Sequence, residues 1–272
     1  MKKVFYPLAC LCIVSILFTG CSKNEKKDSS TSKGKGGVVE GVDDEFSEYI
    51  IGEGVYYEIK DDKYVAVMGY EEETETVEIP DAISYEKKEY PVEAIAEEAF
   101  SGNTTLRSIT LPESLRTIST EAFSGCIALQ SLDIPAGVSV LGNGVFYDCM
   151  ELTSCVIGAG ITSLPNELFT NCYALKSVEL PDSLVSIGSE TFWSCEALEE
   201  LQLPESVVSI GERAFYGTGI RKLTIPSVSV TPTEETVDGL YNLEELYVDE
   251  QQMSIYGDLL AHMDVKIQAV EK

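Results

Sequence analysis

The chain repeats itself, and a repeat limits the possible folds more tightly than composition does. Phenylalanines stand at Phe100, Phe123, Phe146, Phe169, Phe192 and Phe215, each 23 residues after the one before. Leucines keep the same step at Leu106, Leu129, Leu152, Leu175 and Leu198, and Ile220 follows after a one-residue deletion. Cysteines form a third series at Cys126, Cys149, Cys172 and Cys195. A unit this short cannot bury an apolar face alone. Stacked copies can share one core, so the period predicts a solenoid in which each copy touches only its neighbours.

Each unit contains the pattern L-x-x-L-x-L. It runs from Leu106-x-x-Ile109-x-Leu111 through Leu129-x-x-Leu132-x-Ile134 to Leu243-x-x-Leu246-x-Val248. Its alternating end predicts a short strand with one face buried. Pro112, Pro135, Pro181, Pro204 and Pro226 follow most of these strands, and proline cannot continue a ladder. A second apolar pair comes next, such as Leu115 and Ile118, and the unit closes on residues like Glu121-Ala122-Phe123. The phenylalanines are expected to form one buried column.

The pattern resembles the leucine-rich-repeat family, and specifically the 23-residue type of bacterial surface proteins similar to the BspA adhesins. The motif there reads approximately I-G-x-x-A-F-x-x-C-x-x-L-x-x-L-x-L-P. The match is close over 187–204 and 210–226, and the resemblance spans about 77–248. The third unit departs from it: Gly158 stands where other units have proline, and Cys155 replaces the core Leu or Val. The resemblance implies a surface protein that binds another macromolecule.

The expected fold is a mainly β repeat solenoid, poor in helix. It is a right-handed leucine-rich-repeat stack of about seven to eight rungs over residues 77–248. The ends are atypical, as caps of a stack must be. Residues 42–76 read as an N-terminal cap with a hairpin from 55–59 and 64–68. The first unit holds an insertion, because Pro80 to Pro112 exceeds the period by nine residues. Residues 249–272 read as a C-terminal cap, a short helix over 253–262 followed by a strand over 265–270.

Residues 1–20 read as a targeting segment rather than structure. Lys2 and Lys3 precede an uncharged apolar run from Val4 to Phe18, which ends in Phe18-Thr19-Gly20-Cys21. That run is short of the roughly 20 residues a spanning helix needs. It resembles a bacterial lipoprotein signal, which implies lipidation at Cys21 and a position on the envelope, facing out of the cytoplasm. Phe18 departs from the Leu usual at its position. Residues 21–41, rich in Ser, Gly and Lys, read as a flexible tether. Its lysines serve either to contact anionic lipid headgroups or simply to keep the linker soluble.

The formal charge of −27 argues against nucleic acid as a partner, because phosphate binding needs clustered Lys and Arg. No cofactor is expected. The repeat cysteines lack the close pairs of a zinc site, and the acidic run Glu71-Glu72-Glu73-Thr74-Glu75 lacks the ordered spacing of a calcium loop. The cysteines are expected to be unbridged thiols packed as small hydrophobes. One histidine, His262, lies in the C-terminal cap. No nucleophile–base motif surrounds it, so the chain reads as a non-enzyme.

The x positions of the strands should point outward and form the binding face. Candidates there are Arg107, Lys176, Glu179, Glu199, Glu200, Gln202, Arg221, Lys222 and Tyr247. Ser108, Ser131, Ser154 and Ser177 make a serine column. The last rungs read Glu199-Glu200, Arg221-Lys222, Glu244-Glu245, so neighbouring rungs can pair with each other. A second set, Tyr147, Trp193 and Tyr216, follows the core phenylalanines by one residue. These are binding hot spots if exposed and corner packing if buried. Two functions of different class fit: a surface module binding protein or glycan, or a structural component of the envelope without an outside ligand. An exposed aromatic patch favours the first.

Overall fold

A computed structural model describes residues 37–38, 49–71 and 75–270. The signal segment, Cys21, the tether lysines, and Glu72 and Glu73 of the acidic run lie outside the described residues. The body is a stack of short parallel strands: Thr76–Glu78, Ser108–Thr110, Ser131–Asp133, Ser154–Val156, Ser177–Glu179, Glu200–Gln202, Lys222–Ile225, Glu245–Val248 and Lys266–Ala269. Ser108 pairs with Ser131, Ser131 with Ser154, and Ser154 with Ser177, so the sequence period is the sheet register. The one-residue deletion shortens the step once, where Glu200 pairs with Lys222. Eight of these strands fall in 77–248 or at its edge. A ninth comes from the C-terminal cap, which lies parallel to Glu245–Val248 and continues the stack. The hydrogen-bonded ladder runs as five strands and then four, with the interruption after Ser177–Glu179.

A second line of two-residue parallel strands forms the return side of each turn. It includes Thr117–Ile118 with Val140–Leu141, and Ser163–Leu164 with Ser186–Ile187 and Ser209–Ile210. The N-terminal hairpin pairs Val55–Lys60 antiparallel with Tyr64–Tyr70. Tyr64–Tyr70 lies parallel to Lys88–Ile95, whose end pairs with Thr117–Ile118. The hairpin therefore covers the first rung from the return side. The insertion is a second hairpin, Ala82–Tyr85 against Lys88–Ile95. Glu86 and Lys87 close it, both at positive φ, as a two-residue turn that matches strand twist requires. Gly37–Val38 runs parallel to part of Ala82–Tyr85.

The C-terminal cap has the expected helix, Met253–Leu259, and strand, Lys266–Ala269, with a single 3₁₀ turn, Glu250–Gln252, before them. A four-residue helix, Glu234–Val237, lies in the last unit and is absent from the sequence reading. Thr233 starts it: its hydroxyl accepts from the Thr236 backbone N–H, and the Thr236 hydroxyl accepts from the Thr233 N–H. That reciprocal cap satisfies two donors of the first turn.

The six phenylalanines are fully buried and stacked. Successive ring centroids are 5.2, 5.9, 5.5, 5.5 and 6.0 Å apart, and the planes tilt by 17° or less. The rung spacing of about 4.8 Å sets this stacking. Tyr70 from the hairpin continues the column, 5.4 Å from Phe100, so the cap seals the hydrophobic core.

The four column cysteines are buried beside the phenylalanines. Each thiol reaches the carbonyl of a phenylalanine on the preceding rung. Cys126 donates to Phe100 at 3.1 Å, Cys149 to Phe123 at 3.2 Å, Cys172 to Phe146 at 3.1 Å, and Cys195 to Phe169 at 3.3 Å. The sulfurs thus point at backbone oxygen rather than at one another, and Cys155 is buried as a core residue in its strand. Burial pushes the Cys126 thiol up to about 12 and raises the other four as well. At the deletion Thr218 takes the cysteine's place, and its hydroxyl donates to the Phe215 carbonyl at 2.9 Å.

Gly158, the departure from the proline pattern, has a packing cause. A Cβ there would sit 2.4 Å from the Pro135 carbonyl oxygen. The backbones of the two rungs approach too closely for any side chain, which is the use of glycine at such a contact.

Candidate interaction surfaces

The parallel strands place the predicted x positions on one outward face. Arg107, Lys176, Glu179, Glu199, Glu200, Gln202 and Arg221 are exposed there, while Lys222 and Tyr247 are half-buried. The serine column lies in register beside them, with Ser154 half-buried. Toward the C-terminal end the charges pair across rungs. The Arg221 guanidinium donates to Glu244 Oε1 at 2.8 Å, and Lys222 Nζ donates to Glu200 Oε1 at 2.5 Å. The bonded Glu200 holds the Lys222 ammonium above its ordinary value. Lys222 also stands 5.6 Å from the centre of the Tyr247 ring, and the Tyr247 hydroxyl donates to Glu245 Oε2 at 2.8 Å. Lys266 extends the ladder to Glu245 at 4.0 Å. At the other end Arg107 pairs with Glu75 at 3.8 Å.

The corner turns form a second surface. Two left-handed residues bracket each core phenylalanine. The first set is Glu98, Glu121, Gly144, Glu167, Glu190 and Arg213; the second is Gly102, Gly125, Asp148, Asn171, Ser194 and Gly217. Positive φ favours Gly, Asn and Asp, and the second set largely obeys this. The first set instead carries glutamate four times. These glutamates form a ridge of like charge, and among the described residues none of the four makes an ion pair. Burial raises the Glu121 carboxyl above its usual range, and Glu98, Glu167 and Glu97 push it in the same direction.

Trp193 and Tyr216 are both half-buried, between the exposed and the buried alternatives. Their rings stack at 4.3 Å with a 21° tilt. Tyr241 continues the line edge-on to Tyr216, at 5.8 Å and 79°, and its hydroxyl donates to the Tyr216 hydroxyl at 3.1 Å. Tyr241 is 66% exposed. Tyr241 stands two residues before Leu243, as Tyr173 stands before Leu175, and the sequence reading missed it because it followed only the position after each core phenylalanine. It also missed Ile127, Met150 and Tyr173, exposed side chains that keep the period one residue after Cys126, Cys149 and Cys172. Tyr147, half-buried, precedes them on the same corner, its hydroxyl pKa raised by burial and then by Asp148 and other acids.

Beyond Tyr241 the corner opens into a cleft of about 460 Å³. Tyr241, Glu234, Glu235, Asp238 and His262 are among its walls. Asp238 is engaged by Arg213 at 3.3 Å, and Arg213 also meets Glu212 at 3.7 Å. Among the described residues no group of three or more His, Cys, Asp or Glu is gathered closely enough to hold a metal ion. Among them, too, no helix is long and apolar enough to cross a membrane.

Comparison with known proteins bears on the whole solenoid. The family profile of the BspA type leucine rich repeat region matches residues 81–181 and 162–271, in six copies. Among solved structures, the chain is similar to a leucine rich repeat protein of T. pallidum, at 25% identity and a TM-score of 0.57, covering 67% of this chain and 90% of that one. It is similar also to a leucine rich cell surface protein of Faecalibacterium prausnitzii, at 20% identity and a TM-score of 0.53, covering 74% and 70%. A leucine-rich repeat protein of Eubacterium ventriosum matches at 23% identity and a TM-score of 0.50, covering 68% and 51%. No curated protein matches the chain. The repeat register, the stacked phenylalanines and the family profile agree, and the chain belongs to the BspA-type leucine-rich-repeat family.

Proposed function

We propose that this chain is a bacterial cell-surface lipoprotein, held to the envelope by a lipid on Cys21 and facing out of the cytoplasm. Its solenoid acts as a binding platform for a protein or glycan, in adhesion or protein–protein interaction, without catalysis. The observation that carries this reading is the strand face: exposed polar side chains held in register by parallel pairing. A rigid surface loses little entropy when a partner docks, and such faces are where solenoids bind. The signal anatomy and the family support the location. A second reading, a structural envelope component without an outside ligand, draws on the Arg221–Glu244 and Lys222–Glu200 pairs, which satisfy part of the face internally.

The test is retention of host matrix proteins or whole cells by immobilised residues 42–272. Binding that weakens when Lys176, Glu179 and Glu199 are changed to alanine supports the platform. No retention of any of these targets favours the structural role. Mass spectrometry of the membrane fraction checks the anchor. The expected result is added lipid mass at Cys21, and an unmodified Cys21 removes the lipoprotein assignment.

A further inference from the structure

The aromatic ridge on the corner turns is not needed to build the turn. Ser124 and Thr170 occupy the position of Trp193 and Tyr216 on other rungs, and those turns have the same left-handed residues on either side. The fold therefore closes without an aromatic there. Yet Trp193, Tyr216 and Tyr241 form a continuous line on three successive turns. The line runs to the C-terminal cleft, where Tyr241 is one wall and Glu234, Glu235 and Asp238 stand among the others.

The rim fixes the charge of what fits. Glu196, Glu212, Glu234 and Glu235 are exposed around the ridge and cleft. Arg213 is the basic group among them, and it is already joined to Asp238 and Glu212. The whole chain carries −27, so its field attracts cations and repels anions. Guanidinium and ammonium groups bind aromatic faces and carboxylates together. A neutral sugar gains from a ring face but nothing from an acidic rim, and Trp193 and Tyr216 hide one face each by stacking on one another. Tyr241, turned by 79°, leaves its ring open to solvent at the mouth of the cleft.

We propose that the Trp193–Tyr216–Tyr241 ridge and the adjoining cleft dock a Lys/Arg-rich segment of a partner protein. One basic side chain enters the cleft against Tyr241, and its neighbours lie along the ridge between the carboxylates. This surface is separate from the strand face and does not rest on it.

Trp193 is the single tryptophan of the chain, so its emission reports the ridge directly. The full chain in nonionic detergent is titrated with a short alternating Arg-Gly peptide. The expected result is a saturable change in Trp193 emission. Tyr241→Ala should weaken the affinity by about fivefold, the loss of one cation–π contact. Glu234→Gln with Glu235→Gln should weaken it too while keeping side-chain shape, and this variant carries the test if Tyr241→Ala loses its folded circular dichroism. Lys176→Ala with Glu179→Ala, on the strand face, should bind like the parent. The proposal is overturned if the Arg-Gly peptide leaves the emission unmoved. It is overturned equally if a Glu-Gly peptide or a neutral cello-oligosaccharide produces the same saturable change, or if the folded ridge and cleft variants bind like the parent. A failure confined to these variants leaves the strand-face reading standing, because that reading predicts losses from strand-face residues such as Lys176, Glu179 and Glu199 rather than from the ridge.

Discussion

The strand face and the corner turns share one period but handle it in opposite ways. On the last rungs of the face, the sequence changes sign from rung to rung, and Glu200, Lys222, Glu245 and Lys266 neutralise one another in order. At the corner, like stands on like: Glu98 and Glu121 on adjacent rungs, Glu167 and Glu190 on the next such pair. Below those acids the same rule helps, because phenylalanine on phenylalanine and cysteine beside it make a dry continuous core. A solenoid places every residue next to its own counterpart. Repetition stabilises an apolar column and strains a charged one, so a surface column that keeps its charge does so against folding stability.

The largest effect should come from the floor of the corner. Phe169→Ala removes a fully buried ring between Phe146 and Phe192, stacked on both sides. The expected loss is roughly 3–5 kcal/mol, read as a shift in the urea midpoint. Ser177→Ala on the exposed face should cost less than about 0.5 kcal/mol. Comparable losses at the two positions would erase the contrast.

The thiols below the corner sharpen it through pH. Burial raises the folded pKa of all five, with Cys126 at about 12. The unfolded chain loses these protons near 8.5. Below that pH both states hold the proton and the full stability is present. Above it the unfolded state ionises first, so stability falls as pH climbs toward the folded value, by about 1.4 kcal/mol per pH unit for each thiol. Urea midpoints from pH 7 to 10 should fall steeply past 8.5. Changing Cys149 and Cys172 to Ala should flatten the slope, although it leaves small cavities. A slope that those replacements leave unchanged would mean that other groups set the alkaline limit.

The columns that repeat strictly are legible in the amino-acid sequence alone. Phe100 to Phe215, Cys126 to Cys195 and the L-x-x-L-x-L strands all obey one step, because a buried column tolerates only one size and polarity. The same logic places the outward x positions of the face. What the sequence hides lies outside that selection. Nothing in the residue type shows that Glu98, Glu121, Glu167 and Glu190 sit at positive φ, since glutamate is a poor choice for it. Tyr70 joins the phenylalanine stack from a hairpin outside the repeat. The helix Glu234–Val237 falls where the last unit departs from the repeat, so of the cleft beside it only Tyr241, two residues before Leu243, keeps a periodic place. Gly158 reads as a departure from the motif, and only the nearness of the Pro135 carbonyl, which excludes a side chain, gives it a reason.

A small effect, though above that of Ser177→Ala, is expected from reversing the charges of the face. Arg221→Glu with Lys222→Glu places acids against Glu244 and Glu200, with which the parent residues pair at 2.8 and 2.5 Å. All four side chains are substantially solvated, so water and salt screen both the pairing and the new repulsion. The melting temperature should therefore drop by only about 2–4 °C, and most of the drop should vanish in 1 M salt, where the Debye length is about 3 Å. Lys222 also lies against the Tyr247 ring, and that contact leaves a residue of the loss that salt does not remove. A ligand steered by this stripe should bind more slowly, with its dissociation rate little changed. Thermal scans at low and high salt separate the stability loss from the binding loss. A drop as large as that from Phe169→Ala, persisting in high salt, would mean that the face is held by its ion pairs and is no mere outward surface of the core.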